Sequence, residues 1–303
     1  MASGSNPAFS NPAFQEQRPG LTPPAAQAQF GAASAQATDL AAQAQLEGAF
    51  AAPSAGAVET GRMTVEDTVI KTLALFGILL VTAVVGWVWT MAGVTATNPS
   101  PTIMPWIIGA LGGFVLSMVV IFTSRKKIRP ALIFAYAAFE GLFIGGISAF
   151  FEFIWPGIVL QASLATLSVV GVTLALFASG KVRASKKATK VFMIAMLGYL
   201  VFSLINVVMM MFGAFRGPDS AGPFGMFSEP SFILGIPWGV IIGVFVVIMA
   251  AYSLVLDFDN IQQGVRNGAP REYGWLGAFG LMVTVVWLYV ELLRLIAILR
   301  GNN

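Results

Sequence analysis

Seven long apolar runs follow residue 68, and they constrain the fold of this chain more than any other feature. Each is long enough for a helix to cross a hydrocarbon layer of about 30 Å, which takes about 20 residues. Backbone groups in lipid must be paired within the protein, and the alternating strands of a membrane barrel are absent. The sequence therefore predicts an all-α integral membrane protein with seven transmembrane helices, at residues 69–92, 103–123, 131–154, 158–179, 191–214, 232–258 and 275–299.

Small residues and one proline indicate how these helices pack. Glycines at four-residue steps allow two backbones to approach closely, and the sixth run contains Pro237, which we expect to bend that helix near its start. The glycine pairs and triplet are Gly109 with Gly113, Gly141 with Gly145, and Gly235 with Gly239 and Gly243.

Composition removes several classes of chemistry. The chain is 57% hydrophobic and 10% charged, and it contains neither Cys nor His. Disulfides, thiolate nucleophiles, zinc sites with Cys or His ligands and Ser-His-Asp triads are therefore excluded. A phosphate-binding loop of the Gly-x-x-x-x-Gly-Lys-Ser/Thr type is also missing, so ATP-driven pumping by this chain is unsupported. An enzyme is the least supported class of function, and we predict none and no resident cofactor.

Residues 1–62 differ in composition from the rest. They are rich in Ala, Gln, Gly, Ser and Pro, and Ser-Asn-Pro-Ala-Phe occurs at residues 5–9 and again at 10–14. Such a segment cannot bury enough apolar surface to fold alone. We predict a disordered cytoplasmic tail over residues 1–62 and a seven-helix transmembrane domain over residues 63–303.

The basic residues predict an orientation. The second and fourth connections carry nine of the 17 basic residues, whereas the first and third carry none. Cytoplasmic loops are enriched in Lys and Arg. The N-terminus is therefore expected in the cytoplasm and the C-terminus, after seven crossings, outside. A re-entrant seventh segment would place the C-terminus inside instead.

Charged residues within the apolar runs are candidates for function, because a charge at the centre of a bilayer costs about 2.5–3.5 kcal/mol or more. Five positions qualify: Glu140, Glu152, Asp257, Glu291 and Arg294. Glu152 stands beside Trp155, and we expect it at the outer interface. Lys71 and Asp259 lie nearer helix ends, where their charges can reach water.

Asp257 and Glu291 are the strongest pair. They lie on consecutive antiparallel helices, equally far from residue 274 in the polar connection, so we expect them at similar depth. Two such carboxylates should titrate as one coupled unit and could supply oxygen ligands to Ca²⁺. The alternative is that Glu291 pairs with Arg294, one turn on, while Asp257 faces cytoplasmic water.

Glu140 lies in the middle of the third run, with neither acid nor base within four residues. We expect any partner of its carboxyl group to come from another helix. It is a candidate residue of an ion pathway.

Several segments together resemble the Bax inhibitor-1-like family of seven-helix membrane proteins, and most closely its actinobacterial branch. The similarity covers about residues 60–300. The segments are Leu256-Asp257-Phe258-Asp259-Asn260-Ile261, the stretch from Trp287 to Arg294, Glu140-Gly141 with Gly145, the stretch from Arg125 to Pro130, the Asn-Pro-x-Phe repeats and Gly268-Ala269-Pro270.

The resemblance implies a central last helix and a proton-sensitive acidic pair that gates a Ca²⁺ leak. The matching positions are Asp257 and Glu291, although the family more often has Asp at the second place. Family members also use an Arg of the second helix as a latch, and Arg125 is the nearest basic residue here. Arg294 and Asp259 are further candidate ion-pair partners.

Two functions are thus in view. The first is a pH-sensitive Ca²⁺ leak in a bacterial plasma membrane, in keeping with a family that includes suppressors of stress and cell death. The second is a regulatory membrane scaffold that transports nothing and binds a membrane protease or another protein through its tail. Phe9 and Phe14 favour the second, because a bare leak would not need them.

Overall fold

A computed structural model describes residues 61–213, 224–230 and 236–301 of the chain. This part contains seven helices, all long and apolar enough to span a membrane, and no strands. The protein is therefore an all-α, multi-pass membrane protein, as the apolar runs predicted. The helices are α1 (Val65–Met91), α2 (Met104–Ser124), α3 (Pro130–Ile154), α4 (Ile158–Ala178), α5 (Lys186–Met211), α6 (Trp238–Arg266) and α7 (Tyr273–Gly301).

Helix boundaries follow local capping rather than hydropathy alone. The Thr64 hydroxyl accepts a hydrogen bond from the amide of Asp67 at the start of α1 (3.0 Å), and Ser185 caps α5 in the same way. α5 therefore begins before its apolar run. Pro237 lies immediately before α6, so the expectation that it bends this helix is wrong. A proline is tolerated there because no helical hydrogen bond is lost.

α7 lies at the centre of the bundle. It contacts α1, α3, α4 and α6, and it is the most buried of the seven helices. Its side chains at Leu276, Leu288 and Leu293 are fully shielded. α5 is the least buried helix. Its apolar side chains point outward, as expected for a helix in contact with lipid.

Glycines bring α3 against α1 and α2. A Cβ atom on Gly145 would overlap the backbone of Ala83 in α1, and one on Gly109 would overlap the backbone of Phe143 in α3. These are close approaches of the kind that small residues allow between membrane helices. The packing role predicted for the Gly109 and Gly145 steps is confirmed, whereas Gly235 lies outside the described residues.

Contacts at the two ends of the bundle show that α7 crosses it completely. At one end, the amide of Met63 donates to the carbonyl of Ala269 in the α6–α7 turn (2.8 Å). At the other, Arg300 donates to the carbonyl of Pro156 in the α3–α4 connection (2.8 Å). α7 is continuous between them, so the re-entrant alternative is wrong. The predicted disordered tail falls, apart from residues 61 and 62, outside the described residues.

Candidate functional site

Asp257 is a carboxylate in the core between α6 and α7. Its side chain is 0% exposed. The hydroxyl of Thr284 on α7 donates a hydrogen bond of 2.6 Å to its Oδ2 atom. The helix that carries Asp257 continues for nine more residues to Arg266, which sets the carboxylate back from the end of the bundle. The alternative that it faces cytoplasmic water is therefore wrong.

Glu291 is also buried, at 3% exposure, but it lies among different groups. It forms an ion pair with Arg294, one turn along α7. The hydroxyl of Tyr199 on α5 donates a second hydrogen bond, of 2.9 Å, to its Oε2 atom. The ion pair predicted from the i, i+3 spacing is confirmed, and it lowers the free-energy cost of burying either charge.

Aromatic rings enclose the positive partner. The Arg294 guanidinium lies 4.0 Å from the ring centre of Phe227 and 5.8 Å from that of Tyr199. Phe227 belongs to a short 3₁₀ turn, Gly225–Phe227, which Asn206 of α5 ties down through the amide of Met226 (2.8 Å). This cluster joins α5, the 3₁₀ turn and α7. Cation–π attraction is strongest where water is excluded.

The two carboxylates lie at different levels of the bundle. Asp257 is opposite Thr284, and Glu291 lies seven residues further along α7, which is about 10 Å at the helical rise. The turn between α6 and α7 spans residues 267–272, so its centre is near residue 270 and not at residue 274. The expectation of equal depth depended on that centre and is therefore wrong. Coupled titration of the two groups stays a prediction.

Glu140 lies at the α2–α3 contact. The side chain of Tyr136, one turn earlier on α3, lies beside its carboxyl group. A partner from another helix stays a prediction. From α2, Gly113 approaches so closely that a Cβ atom there would lie 2.8 Å from Oε2 of Glu140.

Glu152 has a structural role. Its two carboxylate oxygens accept hydrogen bonds from the amides of Gly157 (2.5 Å) and Val159 (3.0 Å), at the start of α4. A carboxylate in this place accepts hydrogen bonds from amides that have no partner within the helix. Its negative charge also interacts favourably with the positive end of the helix dipole. Its position at a helix end agrees with the predicted interfacial location.

The remaining predicted residues lie near the ends of helices. Arg125 is exposed where α2 ends, and Asp259 is partly exposed, two residues after Asp257. The structure does not bring Arg125 into the core near Asp257. Its assignment as a latch stays a prediction that rests on the resemblance.

A polar cluster at the same end as residue 61 was missed from the sequence. Arg271 donates two hydrogen bonds to Asp67 through Nε (3.0 Å) and a terminal nitrogen (2.8 Å), and these bonds raise the pKa of the guanidinium. Lys71 is buried, pairs with Asp67 and donates to the carbonyl of Arg271 (2.7 Å). The expectation that Lys71 reaches water is thus wrong. Asp67 and Lys71 are spaced i, i+4, which was the available signal.

Comparison with known protein families decides what kind of protein this is. A family model described as Bax inhibitor 1 like matches residues 6–301. The chain belongs to the Bax inhibitor 1-like family. The match extends through the whole bundle and into the tail, beyond the residues 60–300 over which the similarity was expected. Comparison with curated proteins and with solved structures finds no match.

Proposed function

We propose that this protein is a pH-sensitive Ca²⁺ leak, with Asp257 as the sensing and cation-coordinating group. The observation that carries the proposal is the complete burial of the Asp257 carboxylate beside the Thr284 hydroxyl, on the central helix. Membership in the Bax inhibitor 1-like family supports it, since the resemblance implies such an activity.

A buried carboxylate supports gating for an electrostatic reason. In a membrane bundle the group is stable when it is protonated, or when a cation or water compensates its charge. Loss of the proton from Asp257 therefore favours entry of water and cations between α6 and α7. Glu291 is placed as a second acidic group along α7, with its charge held by Arg294. Glu140 is a further candidate residue of the ion pathway.

The oxygen ligands near Asp257 fit weak binding of Ca²⁺ during its passage better than tight, lasting binding. Among the residues that the structure describes, no group of three or more acidic side chains is placed to hold a metal ion. Ca²⁺ takes six to eight oxygen ligands. Asp257 and Thr284 supply a minority of these, so water and backbone carbonyls would complete the shell and binding would be weak.

The test is Ca²⁺ entry into liposomes that contain the purified full-length protein, measured with an enclosed dye between about pH 6 and pH 8. We expect the flux to depend on pH in the wild type and to lose that dependence in Asp257→Asn combined with Glu291→Gln. Equal flux and equal pH dependence in both proteins would refute the proposal. Glu152→Gln is the matched control, because that carboxylate caps a helix at the end of the bundle.

A regulatory scaffold is the second candidate function. The family match begins at residue 6 and so includes most of the Ser-Asn-Pro-Ala-Phe repeat. We propose that the tail binds a partner such as a membrane protease, from the cytoplasmic side of a bacterial plasma membrane. Deletion of residues 1–60 keeps the contacts of residues 61–63 and should abolish co-purification of the partner without changing Ca²⁺ flux. If the full-length chain captures no partner, the scaffold loses its main support.

A further inference from the structure

A cavity of about 230 Å³ opens on the surface of the bundle between α2 and α3. Glu140 and Phe143 line it from α3, and Phe114 and Ser117 line it from α2. One carboxyl group thus faces a space whose other walls are largely apolar. Asp257 and Glu291 do not line this cavity.

The cavity lies at mid-membrane depth. Glu140 is the eleventh residue of α3, which places it about 15 Å from the helix start, halfway through a hydrocarbon layer of about 30 Å. The neighbouring side chain of Phe114 is 64% exposed on the surface of a membrane-spanning helix. The opening therefore faces lipid, and a ligand would enter from the bilayer.

Among the residues that the structure describes, none that lines the cavity carries a positive charge to balance the carboxylate. Tyr136 is the titratable neighbour of Glu140 on α3, and the α2 wall consists of Ala, Gly, Phe and Ser residues. A hydroxyl group can donate a hydrogen bond but does not neutralise a charge at this depth. Phe114 and Phe143 add aromatic rings, which attract cations. A carboxylate, hydroxyl groups and aromatic rings together are the chemistry that recognises an ammonium group.

We propose that this cavity binds a small hydrophobic amine from the lipid phase, with its ammonium group on Glu140 and its apolar body against Phe114 and Phe143. The volume is below the range of about 300–1,000 Å³ that is usual for drug-sized ligands. The ligand is therefore a compact amine. The site is separate from the Asp257 core, and its test measures occupancy and not Ca²⁺ flux.

The test uses full-length protein in phosphatidylcholine vesicles and the hydrophobic reagent dicyclohexylcarbodiimide. A protonated carboxyl group adds across one C=N bond of this reagent: its oxygen bonds to carbon, its proton moves to nitrogen, and the adduct rearranges to an N-acylurea with no other reactant. Peptide mass mapping locates the adduct. We expect it on Glu140 and not on Asp257, which is 0% exposed. Absence of the adduct from Glu140 would overturn the proposal.

Competition then identifies the ligand class. Only unoccupied sites react, so 1-adamantylamine at about ten times its Kd should slow labelling of Glu140 about tenfold. The uncharged analogue 1-adamantanol should leave the rate unchanged. Equal rates with and without the amine, or equal protection by the alcohol, would overturn the proposal. This comparison uses only the wild-type protein and needs no variant to fold.

A glycine substitution adds a structural control. In Gly113→Ala the new methyl group would lie 2.8 Å from Oε2 of Glu140 and would occupy part of the cavity. We expect at least a severalfold weaker protection by the amine in this variant. Gly171→Ala, which adds a methyl group in open space on α4, should keep the wild-type protection. Equal protection in both variants would contradict the assigned site.

Discussion

The hydroxyl of Thr284 on α7 donates a 2.6 Å hydrogen bond to the fully buried carboxylate of Asp257 on α6. This bond joins the two helices of the bundle that contain the most buried residues. A buried polar atom that loses its partner costs about 1–3 kcal/mol. Thr284 therefore stabilises the Asp257 carboxyl group in its protonated and in its ionised form.

Replacement of Thr284 tests this relationship. Thr284→Val keeps the shape of the side chain and removes the donor, so it should lower the free energy of unfolding by about 1–3 kcal/mol. It should also shift the pH dependence of Ca²⁺ flux. Unfolding in mixed micelles and flux in liposomes measure the two effects. Thr284→Ser keeps the hydroxyl group and should differ from wild type by less in both. Identical behaviour of the Val and Ser variants would contradict a role for the bond.

Removal of one member of the Glu291–Arg294 pair should destabilise the bundle strongly. Arg294→Met leaves the Glu291 carboxylate buried without its positive partner, a change that typically costs about 3–5 kcal/mol. Adding Glu291→Gln removes the uncompensated charge, and the double variant should be more stable than Arg294→Met alone. Unfolding of the single and double variants in mixed micelles measures the coupling. A double variant that is less stable than either single variant would disprove this coupling between Arg294 and Glu291.

Alanine at two glycines of the bundle should have opposite effects. Gly145→Ala forces a methyl group into the backbone of Ala83, and overpacking of this kind typically costs about 1–3 kcal/mol. Gly198→Ala adds its methyl group in open space on α5 and should be neutral or stabilising, because alanine is the better helix former by about 1 kcal/mol. Thermal unfolding in detergent compares the pair. A stable Gly145→Ala variant would contradict the close approach of α1 and α3.

The Glu152 cap should contribute to stability and not to transport. Glu152→Ala removes both acceptors from the start of α4, and loss of a helix cap costs about 1 kcal/mol. Ca²⁺ flux and its pH dependence should stay at the wild-type level. A change in flux without a change in stability would place Glu152 in the pathway.

Features that depend on one helix were largely predictable. Length and hydropathy alone predict where a chain can cross a membrane, and the i, i+3 spacing alone predicts the Glu291–Arg294 pair. The position of Tyr136 beside Glu140 follows in the same way, because the two residues stand one helical turn apart.

Contacts between helices were not predictable in the same way. The hydrogen bond between Thr284 and Asp257 depends on where the α6–α7 turn has its centre. A shift of four residues in that centre changes the α7 residue that lies opposite Asp257 by two helical turns. The approach of Tyr199 to Glu291 brings together residues 92 positions apart. No local pattern encodes such a distance, because it follows from how α5 and α7 pack.

The sequence by itself determined that this chain forms seven membrane-spanning helices, and its motifs already resembled the family to which it belongs. The hydrophobic effect and the need to pair every backbone group in lipid act on each segment separately. The sequence of a single segment is therefore enough to predict that it forms a membrane-spanning helix. Only the tertiary structure decided that Asp257 lies opposite Thr284, that Glu152 caps a helix and that Glu140 faces a cavity. Each of these depends on the relative rotation and register of two helices, which the packing of the whole bundle sets.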